Sequence, residues 1–600
     1  MPTEKELTGY PSIDKPWLKY YQEGAEERAN NIPLNKTVWE VIEEKLIEDH
    51  DIPAIEYFGR AISRKEFINL VYTWAKAFKA MGVKENEVIP FYGPFFPDVC
   101  AMTFALNIIG ACPYFLKLAI SSEALAEETK DSRFAVVYED MWQNVCGEFT
   151  KDRFENIIIV KATDGMSSPQ KQIVLLLSKL KSKTVVIPKD NRFFTIKKAL
   201  KYADLFKGDV KATFVPNRAS FITSSSGTTV GGVVKGTVAT NESTISQLFM
   251  ARESEVQFFK KDRCLNHFPP TASTSLNVLF FLALYKGLTV VLDPRVSEED
   301  FYNQITKLKP NVALTTGSSW EAFFNRVHKE MENGKSFDFS FAKGWTVGGE
   351  GTDVAKFQRW NDIMKRANAD KCLFSGYGSS ELFSATCAEK ANARYDCSKQ
   401  IMSVGIPYAG ITLGVYDESG QELQFCERGE LRIKSLSAMK EYYNKPELTK
   451  LTKVDGWILT GDLAEIDHNG FVYIYGRIND KVAFESGETL YLFDVANKVK
   501  EAAYINDAIV LTKEVDKTTK LVAHIVWNDI PNNDTKTKRL TRLNQLLSDY
   551  LPQGISIYGY AEHQEMLPYS PTTLKKDKNK LAQQINGFIQ VIDGKLRYLK

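Results

Sequence analysis

Short β-branched runs separated by helix-length amphipathic segments constrain this chain more than any other feature. Ala135-Val136-Val137-Tyr138, Asn156-Ile157-Ile158-Ile159-Val160, Thr184-Val185-Val186-Ile187 and Thr289-Val290-Val291-Leu292 each read as a strand. One unit is complete: a strand ending at Leu292, a helix opening after Ser297 with Glu298, Glu299 and Asp300 in its first turn, and a strand at Val312-Ala313-Leu314. Acids suit the positive end of a helix dipole, so the segment reads as strand, crossover helix, strand. Such crossovers join parallel strands, and the expected class is α/β. No internal repeat or low-complexity tract interrupts the pattern, and Asn528-Asp529-Ile530-Pro531-Asn532-Asn533-Asp534 reads as a surface loop.

With 600 residues, 44% hydrophobic and 25% charged, the chain has material for several cores, about four compact units at ~150 residues each. Lys and Arg total 76 against 75 Asp and Glu, a formal charge of +1. That balance gives no global attraction to nucleic acid or an anionic membrane. The eight cysteines are dispersed with no Cys-x-x-Cys, and read as buried thiols of a reducing compartment. Met1-Pro2-Thr3-Glu4-Lys5-Glu6 lacks a signal peptide's apolar core. The most apolar run, Leu276 to Tyr285, stops at Lys286 and is too short to span a bilayer. The expectation is a cytoplasmic protein with no membrane span and no nucleic-acid partner.

Chemistry first becomes legible in Ser224-Ser225-Ser226-Gly227-Thr228-Thr229-Val230-Gly231-Gly232-Val233-Val234-Lys235-Gly236. Glycines let backbone N–H groups turn toward an anion, hydroxyls add neutral donors, and a lysine supplies charge. No Gly-Lys-Ser/Thr step opens a helix here, so the loop is not a Walker motif. Four further motifs follow in order: Gly348-Gly349-Glu350; Phe374-Ser375-Gly376-Tyr377-Gly378-Ser379-Ser380-Glu381; Thr460-Gly461-Asp462; and Gly476-Arg477-Ile478-Asn479-Asp480-Lys481. Leu567-Pro568 and the lysine pair Lys575-Lys576 complete the series.

Together these motifs resemble the adenylate-forming (AMP-binding) superfamily, which includes acyl-CoA synthetases, stand-alone adenylation domains and luciferase-like enzymes. The resemblance runs from roughly Thr37 to Leu581. It implies a large N-terminal domain of mixed, mostly parallel sheets flanked by helices, residues 1–478, and a small mobile α+β C-terminal domain, residues 479–600. It also implies ATP and Mg²⁺ as cofactors. Ser225, Ser226, Gly227, Thr228, Thr229 and Lys235 would hold the β- and γ-phosphates, although the loop lacks the family's proline and is two residues longer. Gly348, Gly349, Glu350, Gly376, Gly378 and Ser380 would lie against the nucleotide, Tyr377 would stack on adenine, and Glu381 would bind the metal. Asp462 and Arg477 would contact the ribose. The catalytic set would be Lys575, Thr228 and Glu381; the lysine motif carries one extra residue, so Lys576 is the alternative to Lys575.

The acid pocket would include Ala272, Ser273 and Gly349. Where amino-acid adenylation domains carry an aspartate for the substrate ammonium, this chain reads Phe268-Pro269-Pro270-Thr271-Ala272-Ser273. An unpaired buried ammonium is costly, which points to a fatty or aryl acid. The thiol would come from CoA or from the phosphopantetheine of a separate carrier protein, with Glu485-Ser486-Gly487-Glu488 lining its tunnel. A stand-alone amino-acid adenylation enzyme of nonribosomal peptide synthesis and a catalytically degenerate nucleotide- or acyl-binding protein stay open as alternatives. His267 and His468 read as structural.

Overall fold

The structure is a computed structural model that describes residues 7–180, 185–224, 234–253, 260–388, 400–484, 487–564, 566–570, 574–584 and 587–599. Two large sheets organise the first part of the chain. One of nine strands runs edge to edge through Ile406–Pro407, Ser384–Ala388, Phe374–Ser379, Gly344–Gly348, Val312–Thr315, Arg263–Asn266, Thr289–Leu292, Pro53–Tyr57 and Arg60–Ser63. The run from Phe374–Ser379 to Pro53–Tyr57 is wholly parallel. The other, of eight strands, runs through Glu441–Tyr442, Gly236–Thr240, Ala219–Ser224, Cys112–Phe115, Val88–Tyr92, Phe134–Tyr138, Asn156–Val160 and Phe193–Thr195.

The crossover unit forms as the sequence predicts. Ser297 caps the helix Glu298–Leu308 by accepting from the Asp300 N–H at 3.1 Å, and Lys309 closes it in the left-handed region. The strands it joins, Thr289–Leu292 and Val312–Thr315, both pair in parallel with Arg263–Asn266 between them. The two sheets share one core through the helices that pack on them. Helix Pro97–Ile108 is buried along its whole length, with Phe104 meeting Phe280 and Phe281 at centroid distances of 5.1 and 5.0 Å. Apolar on every side apart from Asp98, Thr103 and Asn107, such a helix belongs inside.

An antiparallel sheet follows: Thr412–Tyr416, Gly429–Lys434, Trp457–Ile466 and Lys453–Val454, with Val472–Arg477 also paired to Trp457–Ile466. After Arg477 a single turn of 3-10 helix, Ile478–Asp480, leads to the hairpin Lys481–Ala483 and Thr489–Tyr491. Then comes a five-stranded sheet, Ile505–Val515, Thr518–Trp527, Ile557–His563, Phe588–Ile592 and Lys595–Leu599, with helices Leu492–Lys500 and Asn533–Ser548. These elements bury their own core, including Val495, Leu521, Ile525, Leu540 and Leu543.

Two local expectations are corrected. Of the expected strand Thr184 to Ile187, Thr184 lies outside the described residues; Val185, Val186 and Ile187 form no strand, Val186 is 71% exposed, and the strand beside Asn156–Val160 is Phe193–Thr195. Pro188, next to that apolar run, has no N–H to give a ladder. Asn533 and Asp534 belong to a helix, not the preceding loop, because the Asn532 side chain accepts from the Thr535 N–H at 2.9 Å and starts the helix there. Among the described residues no helix is long and apolar enough to cross a membrane.

Candidate active site

Ligand crevices in parallel sheets lie beyond the carboxyl ends of the strands, and there the nine-stranded sheet carries Gly348, Gly349, Gly376, Tyr377 and Gly378 of the predicted set. Gly348 ends one strand and pairs in register with Gly376 on the next. A Cβ on Gly348 would stand 3.1 Å from the Gly376 oxygen, and one on Gly376 would stand 3.2 Å from the Cys387 oxygen. Two adjacent strands thus present bare backbone, the surface a flat group needs. Gly349 follows with φ +79°, a conformation that favours glycine.

Asp462 and Arg477 face each other across the antiparallel pair Trp457–Ile466 and Val472–Arg477. The connecting turn is fixed by Asp467, whose carboxylate accepts from the N–H groups of Asn469 and Phe471, each at 2.9 Å. Arg477 Nε lies 3.2 Å from Asp462 Oδ1, and its Nη1 donates to the Thr460 carbonyl at 2.8 Å. The Tyr377 hydroxyl donates to Asp462 Oδ2 at 2.6 Å. Burial pushes the Asp462 carboxyl above its usual range, opposed by Arg477 and Tyr377. Tyr377, expected as an adenine platform, is therefore also tied through its hydroxyl to the ribose-binding candidate.

The two lysines of the C-terminal motif part company. Lys575 lies against Gly349: a Cβ there would be 3.3 Å from Lys575 Cε and 3.8 Å from Nζ. Burial lowers the pKa of its ammonium; Glu350, Asp462 and Glu381 pull the other way, and Arg477 reinforces the depression. Lys576 instead pairs with Asp507 of the C-terminal sheet at 2.9 Å. Asp507 also meets Lys356 of the helix Val354–Arg366 at 2.8 Å, and these cations hold its carboxyl well below the usual range despite burial. The lysine segment is tied down by two further contacts: Thr316 Oγ1 donates to the Leu574 carbonyl, and the Lys576 N–H donates to Glu350. Glu350 in turn accepts from Ser318 N at 3.1 Å and Ser318 Oγ at 2.8 Å, at the start of helix Gly317–Glu332.

Glu381 sits in the 3-10 turn Ser380–Leu382, beyond Gly378 near the end of the strand Phe374–Ser379. It accepts from the Tyr442 hydroxyl at 2.7 Å, and Lys235 Nζ stands 5.3 Å from the centre of the same tyrosine ring. Tyr442 thus links the base of the phosphate loop to the predicted metal ligand, and the sequence reading missed it. Nothing local distinguishes it from Tyr443, which packs on Tyr114 at 5.4 Å. Ser225, Ser226, Gly227, Thr228 and Thr229 lie outside the described residues, as do Glu485 and Ser486. The strands flanking that loop pair Ser224 with Gly236, so its two ends are adjacent. Ala272 caps the short helix Ser273–Leu276, in which Ser273 is buried. His267 is buried beside Thr315, 3.2 Å from its hydroxyl, and burial lowers it to about 3, so it stays neutral as a structural residue.

Comparison with known proteins gives this geometry its context. Residues 42–443 match the AMP-binding enzyme family. A long-chain-fatty-acid–CoA ligase of Bacillus subtilis is 22% identical over 500 residues, covering 82% of this chain and 85% of that protein. The fatty acid–[acyl-carrier-protein] ligase ScoC of Streptomyces coeruleorubidus is 31% identical over a shorter stretch of 135 residues, 22% of this chain and 26% of that one. The solved anthranilate CoA ligase AuaEII, in complex with anthranoyl-AMP, superposes with a TM-score of 0.73 at 17% identity, covering 92% of this chain and 98% of that one. With the family match spanning most of its length, the chain belongs to the AMP-binding enzyme family.

Proposed function

We propose that this protein is an ATP-dependent acid–thiol ligase: R–COO⁻ and ATP give acyl-AMP and pyrophosphate, and a thiol then gives the thioester and AMP. The observation that carries the reading is Lys575, a partly buried cation resting on Gly349 within the field of Glu350, Asp462, Arg477 and Glu381. A carboxylate and an α-phosphate repel, and a cation between them offsets the charge that grows as pyrophosphate leaves. Asp462, whose buried carboxyl has acceptor capacity beyond Tyr377 and Arg477, would take the ribose hydroxyls. Lys235, with Thr228 and Thr229, would hold the outer phosphates.

The residues fit a magnesium ion. Glu381 is a single partly exposed carboxylate that accepts from Tyr442, the tyrosine whose ring Lys235 approaches, and Mg²⁺ bound with phosphates takes only one or two carboxylates and keeps several waters. Among the described residues no cluster of three or more His, Cys, Asp and Glu offers another metal centre. When bound, the ion would neutralise phosphate oxygens; Tyr442 would fix the carboxylate that holds it.

A fatty or aryl acid is the substrate this reading favours. Phe268 to Ser273 offers no carboxylate for a substrate ammonium, and the relatives named above activate a long-chain fatty acid and an aryl acid. CoA or a carrier protein would supply the thiol in the cytoplasm. Residues 479–600 would swivel between the two half-reactions, moving Lys575 out for the second. Pyrophosphate exchange across a library of fatty, aryl and amino acids tests the reading: exchange with fatty or aryl acids is expected. ATP binding without exchange on any acid would favour a degenerate binding protein, and exchange strongest with an amino acid would favour the peptide-synthetase alternative.

A further inference from the structure

Leu574 is held in a backbone conformation that leucine seldom takes. Its φ of +57° lies in the left-handed region that glycine and asparagine populate. Strain of this kind persists only where the surroundings hold it in place, and here the side chain is 3% exposed. Of the described residues beyond Arg477, Leu574 alone is a buried member of the large core otherwise built from residues between Val38 and Phe383; Tyr569 packs against the same core. Leu581, on the next helix, packs instead with Val522, Ala561 and Phe588 of the C-terminal sheet. Leu574 thus crosses from one part of the chain into the core of the other.

Its seat lies between the helices Glu298–Leu308 and Gly317–Glu332, where Leu574 lines a small cavity with Val296, Phe301, Ala322 and Phe323. The Leu574 carbonyl accepts from Thr316 Oγ1, and its N–H donates to the Ser570 carbonyl at 2.7 Å. The Ser570 N–H donates in turn to the Lys575 carbonyl at 2.8 Å, so the backbone of the lysine belongs to the loop that the leucine seats. Thr316 joins the two ends of the arrangement: its Cγ2 would stand 4.0 Å from a Cβ on Gly349, against which Lys575 rests. An ammonium on a flexible four-carbon stem has no fixed place of its own. The neighbouring apolar side chain supplies one.

We propose that Leu574 is a positioning residue, the buried apolar anchor that sets Lys575 against Gly349. Its kinetic consequence rests on the ligase reading; the placement of Lys575 is measured without ATP or acid.

Two variants of the full chain test it. Leu574→Ala keeps the backbone strain and shortens the anchor, whereas Leu574→Met keeps an apolar side chain of similar volume. Timed labelling with acetic anhydride, read by peptide mass spectrometry, reports how readily Lys575 leaves its place. Leu574→Ala should speed that labelling at least about tenfold, the change expected from losing the burial of one leucine side chain, and Leu574→Met should restore most of the protection. Lys286, whose ammonium donates to the Arg252 carbonyl at 3.1 Å, reports general opening and should label at the native rate in both. In pyrophosphate exchange Leu574→Ala should lower the maximal rate at least about tenfold with the KM for ATP unchanged, while thioester formation from supplied acyl-AMP stays near native. Equal Lys575 labelling in the native chain and Leu574→Ala overturns the proposal, as does faster labelling that Lys286 shares in proportion, or native exchange in Leu574→Ala. A native chain that exchanges with no acid strikes the ligase reading alone, and the labelling rates still decide whether Leu574 is the anchor.

Discussion

Replacing Gly349 by alanine separates a geometric cause from a general one. The residue has φ +79°, where an L side chain costs about 1–2 kcal/mol. Its new Cβ would stand 3.3 Å from Lys575 Cε and 4.0 Å from Thr316 Cγ2. Carbon contacts settle at about 3.5–4.0 Å, so the lysine stem must retreat by a few tenths of an ångström. A misplacement of 1 Å can cost about 100-fold in rate, so the smaller shift is expected to lower pyrophosphate exchange by about 5- to 30-fold. Gly334→Ala is the control: φ is +87° there too, but nothing lies within 4 Å of the added carbon. Both variants should lose comparable stability in denaturant titrations, and only Gly349→Ala should lose exchange at saturating ATP. Native exchange in Gly349→Ala would refute the contact, and an equal loss in Gly334→Ala would show that destabilisation alone explains it.

Two further outcomes are expected. Asp462→Ala removes the acceptor for Tyr377 and Arg477 and for the proposed ribose contact, where each hydrogen bond to a charged group is worth roughly 1.5–3 kcal/mol; calorimetry should show ATP binding weakened at least about tenfold, and an unchanged affinity would remove Asp462 from the site. Asp98, buried with Trp74 Nε1 donating to it at 3.0 Å, is pushed up by burial to about 6. A raised acid costs stability above its folded pKa and nothing below its unfolded one near 3.9, so Asp98→Asn should stabilise the protein at pH 8 by up to roughly 3 kcal/mol and lose that advantage toward pH 4; an identical effect at both pH values in denaturant titrations would contradict the burial argument.

The α/β class was legible because its signals are local. Ser297 with three acids behind it announces a helix, and Val312 to Thr315 announces a strand, whatever surrounds them. Val185 to Ile187 show the limit, since β-branched composition did not outweigh the neighbouring Pro188. The glycine and acid motifs were readable for a related reason: Gly349 and Gly461, the residue before Asp462, have φ +79° and +66°, and a Cβ on Gly348 or Gly376 would crowd backbone oxygen, so the local chain restricts the residue type. Tyr442 and the Asp507–Lys576 pair were not readable. Their roles arise from contacts to Glu381, 61 residues away, and from Asp507, 69 residues before Lys576, and no periodicity encodes such distances. The choice between adjacent lysines likewise depended on tertiary position, because Lys575 and Lys576 have the same local sequence but opposite surroundings.

That choice is also where the account is most exposed. Lys575→Ala and Lys576→Ala should be compared in the two half-reactions separately: acyl-adenylate formation from ATP and acid, and thioester formation from chemically supplied acyl-AMP. Losing one group that stabilises developing charge costs about 10²–10³ in rate, and Lys575→Ala should show that loss in the first reaction while leaving the second near the native rate. Lys576→Ala, whose side chain pairs with Asp507, should affect adenylation far less. If Lys575→Ala adenylates at the native rate, or if both half-reactions fall together in that variant alone, the lysine does not act at the α-phosphate and the central claim fails.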